Sequence, residues 1–157
     1  MRGKTACFSG HRIISPKDLA TLLQRLDEHI AALIQQGVAY FGSGYARGFD
    51  MLAAQAVIRA RETNRAVKLI AVLPCSDQSV KWPAADQQLY QHLLAAADKV
   101  VYVSDQPYED GCMAQRNLHL VLHSIVCVTY KKHERSGTAQ TTRMAAKHGL
   151  HIINLAN

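Results

Sequence analysis

Five short segments of the chain combine small residues with cations in a way that suits anion chemistry. The first is Ser9-Gly10-His11-Arg12, and the second is Gly42-Ser43-Gly44-Tyr45-Ala46-Arg47-Gly48-Phe49-Asp50. The third, Pro74-Cys75-Ser76, leads to Lys81 and Trp82, and the fourth is Gly111-Cys112-Met113 with Arg116-Asn117. The fifth runs through Lys131, Lys132, His133 and Arg135 to Ser136-Gly137-Thr138. Glycine just ahead of a helix lets backbone N–H groups approach phosphate oxygens, and the helix dipole favours the negative charge. Gly42, Gly44 and Gly48 suit such a cradle. Ser43 and Thr138 can add hydroxyl donors, and Arg12, Arg47 or Arg116 charge-assisted hydrogen bonds. A lone glycine after a strand serves equally well as a tight turn. The recurrence of small residues before a helix in two loops, with a cation in all five, favours an anion site.

Single residues within these segments carry competing roles. Asp50 can hold a ribose hydroxyl or cap the helix that begins beside it. Arg116 falls in the first turn of an expected helix, where the dipole disfavours a cation, so a functional reason for it outweighs a solvated one. Cys75 and Cys112 can face the same crevice, yet nothing close in sequence supplies a base to activate a thiol. His119 and His123 have metal-ligand spacing, but Leu120 stands where zinc proteases place a glutamate, and surface or core histidines are the better reading. Asp105, Glu109 and Asp110 read as turn acids without the regular spacing of a cation cage, and no metal is expected.

The elements that must position these segments are legible. Apolar runs at Thr5 to Ser9, Ala39 to Ser43, Val67 to Leu73, Lys99 to Val103, Ser124 to Tyr130 and His151 to Leu155 read as six strands covered on both faces. Ser15-Pro16-Lys17-Asp18 offers an N-cap hydroxyl, a first-turn proline and an early acid. Leu19, Leu22, Leu23, Leu26, Ile30, Leu33 and Ile34 follow at helical spacing to a stop at Gly37. Further helices are expected from about Gly48 to Thr63, Ala84 to Ala97, Met113 to His123 and Gly137 to His148. This alternation predicts a Rossmann-like, doubly wound, mainly parallel α/β sheet of six strands with helices on both faces. In such a sheet ligands bind beyond the carboxyl ends of the strands, where the five segments fall.

Composition agrees with that reading. A chain of 157 residues with 48% hydrophobic and 19% charged residues is long enough for one domain with its own core, so residues 1–157 are expected to form a single domain. No apolar run reaches the ~18 residues of a membrane span. The first seven residues lack a leader's apolar core, so the default compartment is the cytoplasm. Cys7, Cys75, Cys112 and Cys127 form no C-x-x-C pair and read as reduced thiols. The net charge of +6 favours an anionic partner, whether nucleotide, nucleic acid or phosphorylated metabolite.

Ser43-Gly44-Tyr45-Ala46-Arg47-Gly48-Phe49-Asp50, with Ala53-Ala54, resembles the S-G-x-A-x-G-x-D-x-x-A signature of the SLOG superfamily. Phe8 to Arg12, Leu73-Pro74-Cys75 with Trp82, Gly111-Cys112-Met113 with Arg116-Asn117, and Ser136 to Thr141 resemble successive motifs of its YpsA-like branch. The resemblance spans nearly the whole chain in the expected order. It implies a Rossmann-like domain that binds or senses a nucleotide or nucleotide-derived ligand, such as NAD or ADP-ribose, and it names a ligand class and no reaction. The implied binding residues are Gly10, His11, Arg12, Ser43, Gly44, Arg47, Gly48, Asp50, Pro74, Trp82, Arg116, Asn117, Gly137 and Thr138. A homodimer is a further expectation from the family.

The same second motif resembles the DNA-processing protein A family, which binds single-stranded DNA. On that alternative Trp82, Tyr45 and Tyr108 would be the stacking platforms. Met113, Arg116, Gly137 and Thr138 also resemble the arginine and G-G-x-G-T-x-x-E motifs of the Lonely Guy phosphoribohydrolases. Here, however, the acid's place falls on Thr141, and Ser136 stands where the YpsA-like branch more often has glycine. A threonine cannot transfer protons as a carboxylate does, which disfavours that hydrolysis.

Overall fold

A computed structural model of the protein describes residues 2–156. Its strands are β1 (Thr5–Gly10), β2 (Tyr40–Ser43), β3 (Lys68–Leu73), β4 (Lys99–Tyr102), β5 (Val126–Tyr130) and β6 (His151–Asn154). Its helices are α1 (Pro16–Gln35), α2 (Phe49–Thr63), α3 (Ala84–Ala96), α4 (Cys112–Leu122) and α5 (Gly137–Lys147). The strands pair in the order β4-β3-β2-β1-β5-β6, every pair parallel. The chain steps outward from β1 to β4, then returns past β1 to lay down β5 and β6. That reversal between β1 and β5 opens a crevice at their carboxyl ends.

Successive strand residues point to opposite faces, and the two cores follow from that alternation. Phe8, Phe41 and Leu69 pack against Leu22, Leu26 and Ile30 of α1, Val57 of α2 and Leu93 of α3. Cys7, Val72 and Cys127 pack on the other face, against Leu120 and Val121 of α4 and Ala145 of α5. Among the described residues no helix is long and apolar enough to cross a membrane. All four cysteines are buried free thiols.

Several local expectations are corrected. The edge strand β4 is not covered on both faces: Val100 is 38% and Tyr102 52% exposed, because an edge strand has a neighbour on one side only. The buried stripe of α1 narrows to Leu22, Leu26, Ile30 and Leu33. Ser15 precedes α1 without a side-chain cap; its carbonyl accepts the Asp18 N–H at 2.9 Å. Asp18 turns its carboxylate to the Tyr130 hydroxyl and the Lys132 ammonium, so it ties α1 to the end of β5. Gly37 ends the helix as expected, at φ +101°, which favours glycine.

Candidate functional site

Two loops at the carboxyl edge interlock backbone to backbone. The Phe49 N–H donates to the His11 carbonyl at 3.1 Å, and a Cβ on Gly48, at φ +80°, would stand 2.1 Å from the Arg12 carbonyl oxygen. A Cβ on Gly10 would stand 2.4 Å from the Phe49 ring. Gly10 and Gly48 are therefore required by this loop contact whatever they do for a ligand. Ser43 is fully buried; its hydroxyl donates to the Asp50 carbonyl at 2.9 Å and accepts the Tyr45 N–H at 3.3 Å, folding the loop on itself. Tyr45 adopts φ +58° and is fully buried, with its hydroxyl on the Leu93 carbonyl at 2.8 Å. That removes Tyr45 from the stacking platforms that the sequence suggested.

This loop seats Arg116. Because α4 begins at Cys112, Arg116 lies one turn inside the helix and not in its first turn, and its side chain reaches back into the crevice. It is 4% exposed. Its Nη1 donates to the Gly44 carbonyl at 2.6 Å, its Nε donates to Asn117 Oδ1 at 2.8 Å, and Nη2 lies 3.7 Å from Met113 Sδ. Gly44 leaves room for this seat, since a Cβ there would stand 2.3 Å from Nη1 and the guanidinium would have to shift. Gln78, which no motif flagged, donates to the same Gly44 carbonyl at 3.3 Å and fixes the loop from the β3 side. All the near acceptors of Arg116 are neutral, and among the described residues no carboxylate forms an ion pair with it. A buried guanidinium that feels the Asp50 charge but forms no direct ion pair retains electrostatic capacity for an anion.

Asp50 faces the same space. It is 6% exposed, and its Oδ1 has no hydrogen-bond partner among the described residues. Burial pushes its carboxyl up to about 6, with Arg116, the Ala46 and Gly10 N–H groups and Arg12 pulling the other way. Those N–H groups lie near the carboxylate, but neither reaches Oδ1 with hydrogen-bond geometry. Gly48 is the N-cap of α2, and among the described residues no side chain, that of Asp50 included, caps it by a hydrogen bond. Asp50 and Arg116 line one cavity of about 340 Å³ together with Ser9, Gly10, His11, Arg12, Ala46, Met113, Asn117, Ser136, Gly137 and Thr138. The N-terminus of α5 opens into it, with the Ser136 hydroxyl accepting the Ala139 N–H at 3.0 Å.

A second cavity of about 590 Å³ adjoins it, sharing Arg12, Ala46 and Met113. Arg47 and Lys81 bring charge to it, and Trp82 and Tyr108 aromatic surface. Trp82 packs edge-on against Tyr90, ring centres 5.1 Å apart, while Tyr108 is 59% exposed. Arg47 is paired with Asp86 at 3.4 Å. His11 lines the smaller cavity, but its Nε2 accepts the Lys132 N–H at 2.8 Å, which fixes the neutral tautomer and joins the loops after β1 and β5. Burial, His133 and Lys132 all hold its pKa below the ordinary range.

Four predicted residues, Ser43, Gly44, Gly48 and Pro74, line neither cavity; the first three hold the loops behind them. Ala46, Met113, Ser136 and Gln78 complete the site or its supports, although the sequence reading did not place them among the binding residues, and Tyr108, a stacking platform on the nucleic-acid alternative, lines the larger cavity. Cys75 lines the larger cavity, yet burial pushes its thiol up to about 11, the wrong direction for a nucleophile. The Thr141 hydroxyl, at the place of the Lonely Guy acid, donates to the Gly137 carbonyl at 3.1 Å within its own helix.

Comparison with known proteins agrees with the architecture. The UPF0398 protein of Halalkalibacterium halodurans is 28% identical over 109 residues, 69% of this chain and 58% of that one. The chain spans about half the length of the curated relatives it matches. DNA processing protein A from Streptococcus pneumoniae superposes with a TM-score of 0.69 at 17% identity, over 96% of this chain and 49% of that one. The Helicobacter pylori protein, whose single-stranded DNA binding mode has been studied structurally, gives 0.66 at 22% identity, over 94% and 63%. At these identities the likeness is one of fold. A family model described as the YspA SLOG family matches residues 15–152, from the start of α1 into β6 with four of the five loops, and the chain belongs to that family.

Proposed function

We propose that the protein binds a nucleotide or nucleotide-derived anionic ligand, with its phosphate in the smaller cavity and its base in the larger. The observation that carries this is Arg116: a buried guanidinium held by neutral acceptors and lining the same cavity as the N-terminus of α5. A helix N-terminus and a fixed arginine fork are complementary to phosphate oxygens. Arg12 bridges both cavities and supplies a second cation. The test is thermal denaturation with AMP, NAD and ADP-ribose at millimolar concentration, since a ligand that binds only the folded state raises its melting temperature. At least one of them stabilises the protein, and Arg116→Ala weakens that ligand roughly 10-fold to 150-fold. No shift from any nucleotide shows the ligand class to be wrong.

A second reading, single-stranded nucleic acid, draws on the larger cavity, where Arg12, Arg47 and Lys81 stand beside Trp82 and Tyr108. Cations with aromatic platforms are the elements of strand binding. It also draws on the fold shared with DNA processing protein A. Salt separates the two readings: a strand that displaces several counterions loses affinity steeply as salt rises, whereas a ligand with one or two phosphates does so shallowly. Nucleotide binding persists at physiological salt and oligonucleotide binding fades there. Tight, length-dependent oligonucleotide binding at that salt favours the second reading.

A further inference from the structure

We infer that the smaller cavity takes up its anion together with a proton from solvent, and that the proton settles on the Asp50 carboxylate; this rests on the nucleotide reading above and adds its regulation by pH. The cations that favour an ionised Asp50 are Arg116 of α4 and Arg12 of the loop after β1, and the same two line the cavity in which the phosphate would sit. A phosphate on Arg116 and Arg12 therefore opposes both of them and brings its own negative charge. The Ala46 and Gly10 N–H groups also favour the charged form, yet Oδ1 is left without a partner among the described residues.

The carboxylate has no room to withdraw. Asp50 lies in the first turn of α2 between Phe49 and Met51, both buried, and its carbonyl accepts the Ser43 hydroxyl at 2.9 Å. In so close-packed a wall, neutralisation is the response left to a second anion. At 6% exposure Asp50 acts on the ligand through charge and not through contact. Burial already places its carboxyl at about 6, and the added negative charge carries it upward through neutral pH. Two further titratable groups stand near. Cys127 of β5 feels the Asp50 charge, but its contact with Cys7 and its burial push the thiol well above the ordinary range. His11 lines the same cavity, and its Nε2 accepts the Lys132 N–H at 2.8 Å, a bond that a proton there would break. The N-terminus of α5 presents only the neutral Ser136, Gly137 and Thr138.

The test is isothermal calorimetry on the unaltered protein with NAD, ADP-ribose and AMP, in buffers of different ionisation enthalpy. The first two do not titrate near neutral pH; for AMP, whose phosphate does, Asp50→Asn supplies the baseline. Binding takes up roughly half a proton or more per ligand near pH 7, and affinity falls at least about five-fold between pH 6 and pH 8. Asp50→Asn, which keeps the shape and removes the charge, binds without that uptake and, at pH 8, at least about five-fold more tightly than the parent. Binding to the parent without proton uptake overturns the inference and leaves the nucleotide reading standing. Uptake that persists unchanged in Asp50→Asn assigns the proton to another group and overturns it as well. If none of the three ligands binds, both are overturned.

Discussion

Two aspartates at opposite edges of the same sheet are treated in opposite ways. Asp98, just before β4 at the amino edge, accepts the Leu69 N–H at 2.8 Å and Arg61 Nη1 at 2.6 Å, and Arg61 also donates to the Ala96 carbonyl at 2.8 Å. Burial works to raise its pKa, but those partners outweigh burial and hold it below the ordinary carboxylate range. Asp50, at the carboxyl edge, has an oxygen without a partner, and burial prevails there. At the amino edge the chain completes its own ion pair; at the carboxyl edge it buries a cation and an anion along one cavity without joining them. Buried ions that attract each other without pairing directly recover only part of their desolvation cost, so such an arrangement suits a complement from outside the chain.

The most severe way to break this contrast is to unseat Arg116. Gly44→Ala places a methyl 2.3 Å from its Nη1, inside contact distance, so the guanidinium must leave its place. Loss of about 1–3 kcal/mol of stability is expected, together with the nucleotide-induced thermal shift. A full shift in that variant shows that the seat is not needed for the anion.

Next in size is the stability of Asp50→Asn. The folded-state carboxyl, at about 6, lies above the ordinary value, so its contribution favours the fold at low pH and is lost as pH rises from about 4 through about 6. The amide variant is therefore more stable than the parent above pH 6, by up to ~3 kcal/mol, and loses that advantage near pH 4. Urea denaturation across this range reads the crossover, and destabilisation at pH 8 contradicts it.

Asp98→Asn sharpens the contrast with the opposite sign. Its folded-state pKa is lowered, so its contribution is present at neutral pH and is lost as pH falls through the folded value. About 1 kcal/mol is lost at pH 7 in the same titration, and a gain there ends the distinction between the edges. The smallest effect belongs to Arg47→Ala. The Arg47–Asp86 pair is 45% and 37% exposed, and its removal changes stability by no more than about 0.5 kcal/mol. A loss above 1 kcal/mol makes Arg47 a structural residue and not a surface of the larger cavity.

The five loops were found correctly from glycine, cation and strand patterns, but their division of labour was not. Gly10 and Gly48 look like ligand glycines in one dimension, and the crowding of Phe49 and the Arg12 carbonyl against them appears only when β1 and β2 lie side by side. Tyr45 is an aromatic in a loop, which suggests stacking, until its positive φ turns it beneath α3. Gln78 carries no motif at all, and its contact with the Gly44 carbonyl joins loops 34 positions apart.

The sequence by itself determined the alternation of strands and helices, their approximate bounds and the parallel class of the sheet, because hydrophobic periodicity and helix stop signals act over a few residues. It also placed small residues and cations after the strands. Only the tertiary structure decided that Arg116 is buried among neutral acceptors, that Asp50 keeps an unsatisfied oxygen, and that both line one cavity. Those properties depend on which groups are withdrawn from water together, and Asp50 and Arg116 meet across the sheet only because the strand order reverses beside β1.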